Sequence, residues 1–377
     1  MASMRASDPD DPRESPEHGE CPEGSAGGGS PRVSGSARVV LVTGVSRFLG
    51  ARVANTLQAD PGIERVIGVD TVPPAGPLGR TEFVRVDIRT PSIAKVISSA
   101  RVDTVVHLNL VTSPSGQRSA TKEINVIGTM QLLGACQRSP YTRKLVVRSS
   151  AAVYGSSPKD PAVFTEDSHA AVPPSSGYAK DALEVEGYVR GLQRRRSDLT
   201  VSVLRFANFL GAGVDSPLTR YLRMPVVPTV LGFDPRLQFL HEDDGVEVLR
   251  RMTVEDHPGV FNVAGDGVLL LSQCLRRAGR QQLPLPGPAF GLVGDTGKRT
   301  GGLPGFSDEL RRWLTYGRVV DTTRLVEELS WRPKYGSEAA FNEFLQAHGM
   351  SNSLPLGLFD LVTGSLPGAP GRGGGVR

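Results

Sequence analysis

Residues Val39 to Gly50 read VVLVTGVSRFLG, and this stretch decides the fold. The run Val39-Val40-Leu41-Val42 is apolar without alternation and meets Thr43-Gly44 at once, which marks a strand buried on both faces. Phe48-Leu49-Gly50-Ala51-Arg52-Val53-Ala54 then reads as a helix. A strand, a glycine turn and a helix present backbone N–H groups and a positive helix end to a dinucleotide pyrophosphate. The position that usually carries the middle glycine holds Arg47, and the pattern alone matches many unrelated chains.

Outward from this turn the chain alternates. Strands are expected over Arg38–Thr43, Arg65–Val69, Glu82–Val86, Thr104–Leu108, Lys144–Ser149 and Thr200–Leu204. Helices are expected over Leu49–Gln58, Ile93–Ser98, Lys122–Gln137 and Tyr178–Arg194. Apolar strands alternating with amphipathic helices give right-handed βαβ units and a parallel sheet. After Phe206 the alternation weakens and prolines cut the chain into short pieces. The expected organisation is a disordered segment over 1–36, a dinucleotide-binding domain over 37–205, and a smaller lobe over 206–350 interleaved with returns to the first domain. A disordered tail over 364–377 completes it, since neither end carries enough apolar residues to order itself.

Composition excludes several classes. Forty-three basic against thirty-nine acidic residues in 377 leave a formal charge of only +4, which gives no footprint for nucleic acid. The basic run Arg194-Arg195-Arg196 suits a helix end, where cations meet the dipole. Cys21, Cys136 and Cys274 show neither metal spacing nor a disulfide framework, which suits a reducing cytoplasm. No apolar run reaches membrane-spanning length.

Strand ends carry the candidate site. Asp70 closes the second strand about 20 residues after the glycine turn, where a carboxylate accepts the hydroxyls of an adenosine ribose; this favours NAD over NADP. Arg47 argues the other way, because a guanidinium suits a 2′-phosphate. Asp87 and Ile88 end the third strand and either hold an adenine or cap the next helix. His107, before Leu108, reads as a packed strand histidine. Asn125 either reaches the cofactor or is a plain helix-face residue. The fifth strand runs into Ser149-Ser150, with its hydroxyls at the end of the sheet where ligands bind. Tyr178 starts a helix, and Leu204 opens the stretch LRFANFLG.

Together these residues resemble the extended short-chain dehydrogenase/reductases, the NAD-dependent epimerase/dehydratase family typified by UDP-glucose 4-epimerase. TGVSRFLG resembles the family's TGxxGxxG turn, and VDIR its adenine-contacting strand end. SSAAVYG resembles the segment carrying its catalytic Ser or Thr. LRFANFLG resembles LRxxNxxG, and QFLHEDD resembles DFIHVDD. The resemblance covers about Arg38 to Pro333. It implies a Rossmann-type doubly wound α/β sheet with a smaller substrate lobe, and NAD held by Gly44, Arg47, Phe48, Leu49, Asp70, Asp87, Ile88, Leu108, Asn125 and Ala207. It implies catalysis by Ser150 and Tyr178, a nucleotide-sugar substrate touched by Ser150, Tyr178 and Asn208, no metal, and a homodimer through the helices Lys122–Gln137 and Tyr178–Arg194.

Three departures stand out. The lysine expected four residues after Tyr178 is Ala182, and Lys180 falls on a different helix face. Arg47 replaces a glycine. The C-terminal arginine that grips a nucleotide diphosphate has no clear counterpart, although Arg318 precedes Val319-Val320-Asp321. A free Tyr has a pKa of about 10 and is a poor base near neutrality. The family lowers it with that lysine and with the nicotinamide charge. Two readings follow: an oxidoreductase or epimerase with an atypical site, or a non-catalytic NAD-binding sensor or interaction module.

Overall fold

A computed structural model describes residues 39–112, 118–290 and 307–350. The expected disordered ends and Cys21 lie outside them. Val40, Leu41 and Val42 are completely buried, and Val39–Thr43 forms strand β1. Its register pairs it in parallel with β2 (Arg65–Asp70) on one side and β4 (Thr104–His107) on the other. β3 (Glu82–Arg85) extends the β2 edge, and β5 (Lys144–Ser150) and β6 (Thr200–Phe206) extend the β4 edge.

The strand Gly259–Val263 comes from the far half of the chain and pairs in parallel with β6. The seven-stranded sheet is therefore wholly parallel, in the order Gly259–Val263, β6, β5, β4, β1, β2, β3. The chain reverses direction of travel between β1 and β4. The crevice beyond the strand ends at such a switch point is where ligands bind in this architecture.

Both sheet faces are covered. One core joins the sheet to the helices Ser92–Ser99, Thr129–Arg138 and Gly177–Arg195 through Ile93, Ile97, Leu132, Val185 and Val189. The other joins it to Phe48–Leu57, Glu242–Val254 and Thr323–Leu329 through Val53, Leu57, Leu249 and Leu325. A third cluster sits off the sheet, with Tyr221, Phe239, Cys274, Trp313 and Phe341 at its centre.

Most boundaries move by one or two residues from those expected. One helix differs in kind. The expected Lys122–Gln137 is a short helix over Arg118–Lys122, a π-turn over Glu123–Gly128, and the helix Thr129–Arg138. Its wide turn lets the Asn125 carboxamide accept from Val111 N–H and donate to Val111 C=O, each at 2.9 Å. Hydrogen bonding to a neighbouring loop is a usual cause of such a local widening. No helix among the described residues is long and apolar enough to cross a membrane.

Candidate active site

Gly44 has φ +79°, a region where only glycine sits without strain. Its N–H donates to Val69 C=O at 3.0 Å, so the turn is tied to β2 as it leaves β1. A Cβ on Gly50 would lie 2.1 Å from Gly44 O and 2.7 Å from its carbonyl carbon. The helix Phe48–Leu57 therefore approaches the turn as closely as backbone allows. Arg47 occupies its N-cap position, no side chain caps it, and its first turn holds no acidic residue. An uncapped first turn leaves N–H groups free for an anion. These features fit a pyrophosphate.

The Asp70 carboxylate accepts Ser46 N–H at 3.1 Å and Thr71 N–H at 2.7 Å. It thus fastens the glycine turn to the end of β2 and keeps lone pairs for a ligand. Arg47 is exposed beside it. Phe48 is 40% exposed and lies beneath Arg52, while Leu49 packs on the sheet core.

Other expected cofactor contacts take different partners. Arg89 holds Asp87 through its side chain at 2.7–3.0 Å and through its own N–H at 2.9 Å, which keeps the Asp87 pKa low. The Ile88 side chain packs into the core, and a Cβ on Gly128 would meet it at 2.8 Å. Leu108 is buried, and its N–H donates to Thr43 Oγ1 at 3.0 Å. Asn125 is fully buried, and its remaining donor goes to Asp181 at 2.9 Å. Its amide is committed to these neighbours and holds the loop after β4.

The sheet sets the end of β5 beside the end of β6 and the segment that follows it. Ser150 ends β5 opposite Phe206 at the end of β6. Ser150 Oγ accepts Ala152 N–H at 3.1 Å, so it also caps the short 3₁₀ turn Ala151–Tyr154. Gly177, at φ +76°, turns the chain into the helix Gly177–Arg195 and sets Tyr178 in its first turn. The Tyr178 hydroxyl faces Ser150. Burial raises its pKa; Arg148 lowers it, Glu309 raises it, and Ser150 lowers it by hydrogen bonding. Ser150, Ala207, Asn208, Gln238, Trp313 and Arg318 line one cavity.

Ala182 is completely buried among apolar side chains. Lys180 turns outward, with its ammonium 3.9 Å from Glu184. Asp181, also fully buried, is held by Arg118 at 2.5 Å. His107 is buried between Thr43 Oγ1 and Thr129 Oγ1, each at 2.8 Å, in the packed role its strand position implies.

Several residues at the site carried no expectation. Trp313 comes from the helix Asp308–Tyr316, which also sends Glu309 to the N–H of Ala179 at 3.1 Å. Arg318 had no clear role; it lines the cavity while donating to Gly155 C=O at 2.7 Å, and burial lowers its pKa to about 10. Arg148 was legible in principle. It stands two residues before Ser150, and alternation puts both on one strand face.

A parallel doubly wound sheet and a glycine turn under an uncapped helix define a dinucleotide-binding architecture. The chain belongs to the NAD dependent epimerase/dehydratase family, whose model matches residues 40–264, and its cofactor is NAD. An uncharacterized protein of Mycobacterium tuberculosis is 47% identical over 321 residues, 83% of this chain and 85% of that one. UDP-glucose 4-epimerase 2 of Oryza sativa subsp. japonica is 32% identical over 197 residues, 48% of this chain and 47% of that one. In solved structures the fold is shared with the Thermotoga maritima UDP-glucose 4-epimerase bound to UDP-glucose, at TM-score 0.62 and 20% identity over 82% of this chain and 98% of that one. It is also shared with the Bacillus anthracis dTDP-glucose 4,6-dehydratase in complex with NAD, at TM-score 0.63 and 20% identity over 83% and 97%.

Proposed function

We propose that this protein is an NAD-dependent epimerase or dehydratase acting on a nucleotide sugar, in the manner of UDP-glucose 4-epimerase, through a site that lacks the usual lysine. The observation that carries the reading is the meeting of Ser150, Tyr178 and the Ala207–Asn208 segment at the same end of the sheet. Its cofactor residues would be the Gly44 turn, the first turn at Phe48 and Leu49, and Asp70.

When bound, NAD supplies the hydride acceptor. Tyr178 takes the proton from the sugar hydroxyl, and Ser150 donates a hydrogen bond to the same oxygen, which holds it against the base. Asn208 orients the sugar from the start of the strand Asn208–Leu210. Arg318 offers the cavity a cation for the phosphate part of the substrate. The dimer expected from the resemblance finds support in Ile127, Met130 and Tyr188, which are 45%, 43% and 38% exposed on the two helices concerned; sedimentation velocity tests it.

A second reading draws on Ala182. With an alanine locked in the core at the lysine position, the chain would bind NAD without turning over. A thermal-shift screen with NAD, NADP and a panel of nucleotide sugars, followed by turnover assays of wild type and Tyr178→Phe, separates the two. Stabilisation by NAD and a nucleotide sugar with Tyr178-dependent turnover supports the enzyme. Stabilisation by NAD alone, with no turnover on any sugar, supports the sensor.

A further inference from the structure

Tyr178 sits between two peptide units that are each held from a distant part of the chain. The Gly177 C=O before it accepts from Arg118 Nη2 at 2.9 Å. The Ala179 N–H after it donates to Glu309 Oε2 at 3.1 Å. A Cβ on Gly177 would lie 3.3 Å from that same carboxylate oxygen, so Glu309 rests directly against the turn that starts the helix. Gly177, at φ +76°, belongs to the residue type with the widest backbone freedom. A bond on either side of Tyr178 therefore fixes a direction that the glycine alone would leave open.

A local cap would need neither bond. Ser176 stands at the N-cap position and its hydroxyl makes no cap bond, whereas Ser216 and Ser307 cap their own helices through their side chains. The start of the Tyr178 helix is capped instead by the Glu309 carboxylate, whose negative charge suits a helix N-terminus. Glu309 stands four residues before Trp313, on the same face of the helix Asp308–Tyr316, and Trp313 lines the cavity with Ser150 and Asn208. One helix thus walls the cavity and holds the start of the other. On the opposite flank Arg118 grips the fully buried Asp181 with both terminal guanidinium nitrogens, and the Asn125 carboxamide donates to the same carboxylate. Arg118 therefore spans the first turn of the helix, from Gly177 to Asp181, around Tyr178.

We propose that Arg118 and Glu309 are positioning residues: they clamp the peptide units on either side of Tyr178 and so hold its hydroxyl against Ser150. The proposal rests on the reading of Tyr178 as the base that works with Ser150. Proton transfer needs its two partners within hydrogen-bond reach, and a misplacement of about 1 Å is costly. Both clamp residues are charged, and bonds from charged groups are about twice as strong as neutral ones. Ala182 is apolar and buried, and Lys180 pairs outward with Glu184, so the helix itself lends Tyr178 no such hold. The hold comes from the two elements packed against its start.

The test reads how firmly Tyr178 is held at Ser150. A trifluorinated tyrosine placed at 178 in the full-length chain ionises near neutral pH and is followed by fluorine NMR without background from other tyrosines. Ser150→Ala removes a donor to the phenolate and should raise the ionisation midpoint by about half a pH unit or more. In a Glu309→Ala background the same substitution should move the midpoint by less than half as much, because the hydroxyl is no longer held there. Glu309→Gln keeps an acceptor for the Ala179 N–H without the charge, and should restore the full Ser150 shift. Both Glu309 variants remove the same charge, so only placement differs between them. A merely structural cap would leave the Ser150 shift unchanged in all three backgrounds; that result, with folding intact by circular dichroism, overturns the proposal. If Glu309→Ala does not fold, Arg118→Lys decides: it keeps a charge for Asp181 but loses the fork that also reaches the Gly177 C=O, and an undiminished Ser150 shift there overturns the proposal. No shift by Ser150→Ala in the parent chain overturns both the clamp and the pairing on which it rests. A clamp-dependent shift beside turnover that survives in Tyr178→Phe supports the clamp and sinks the base alone.

Discussion

Ser149 Oγ donates to Glu186 Oε1 at 2.6 Å, and this bond turns one serine of the pair inward so that Ser150 can face the cavity. Glu186 is in turn gripped by Arg205 through two bonds, 3.0 Å from Nε and 2.7 Å from Nη2. Arg205 also donates to the Tyr154 hydroxyl at 2.8 Å, and Tyr154 donates to Asn262 at 2.7 Å. This buried chain joins β5, β6, the helix Gly177–Arg195 and the strand Gly259–Val263 beneath the proposed catalytic pair.

Removing one partner of a buried ion pair leaves the other charge stranded. Arg205→Met should therefore destabilise the fold by about 3–5 kcal/mol in urea unfolding. The double variant Arg205→Met with Glu186→Leu should recover much of that loss. A loss below about 1 kcal/mol in the single variant would mean that Glu186 is not held as a buried charge.

Gly50→Ala should cost about 3 kcal/mol or more, because the new methyl would lie 2.1 Å from Gly44 O and backbone must move to admit it. NAD binding by calorimetry should weaken with it, since the turn is the element displaced. Full stability together with native NAD affinity would contradict the close approach described above.

Asp70→Ala should weaken NAD by about tenfold and NADP by less, because a carboxylate hydrogen-bonded to the ribose is worth about 1.5–3 kcal/mol and opposes a 2′-phosphate. A parent chain that is stabilised more by NADP than by NAD would instead assign the ribose site to Arg47.

His107 gives a pH dependence with a definite sign. Burial lowers its pKa from 6.5 to about 4. Thr129 Oγ1 donates to Asn125 C=O, so His107 Nε2 must donate to Thr129, and the neutral ring accepts at Nδ1 from Thr43. Between pH 6.5 and 4 the unfolded chain binds the proton and the folded one does not. Stability present above pH 6.5 is therefore lost as pH falls to about 4, by about 3 kcal/mol in all. His107→Gln should flatten that part of the stability–pH curve; an unaltered slope would mean that another group is responsible.

The parallel sheet was legible because its strands are apolar runs and its glycine turn sits between a strand and a helix. The places of Ser150 at a strand end, Tyr178 at a helix start and Asn208 at the start of a strand were legible from local motifs. The π-turn at Glu123–Gly128 was not, because it depends on Asn125 meeting Val111 and Asp181, contacts that no local period encodes. Glu309 and Trp313 were invisible for a similar reason: they arrive from about 130 residues beyond Tyr178 on a helix that carries no motif.

The most direct test of the account is NAD-dependent turnover of nucleotide sugars by wild type and Tyr178→Phe, with NAD affinity measured on both. The account predicts turnover on at least one nucleotide sugar, its loss by at least a hundredfold in Tyr178→Phe, and equal NAD affinity in the two proteins. Turnover that survives the loss of the Tyr178 hydroxyl would contradict it.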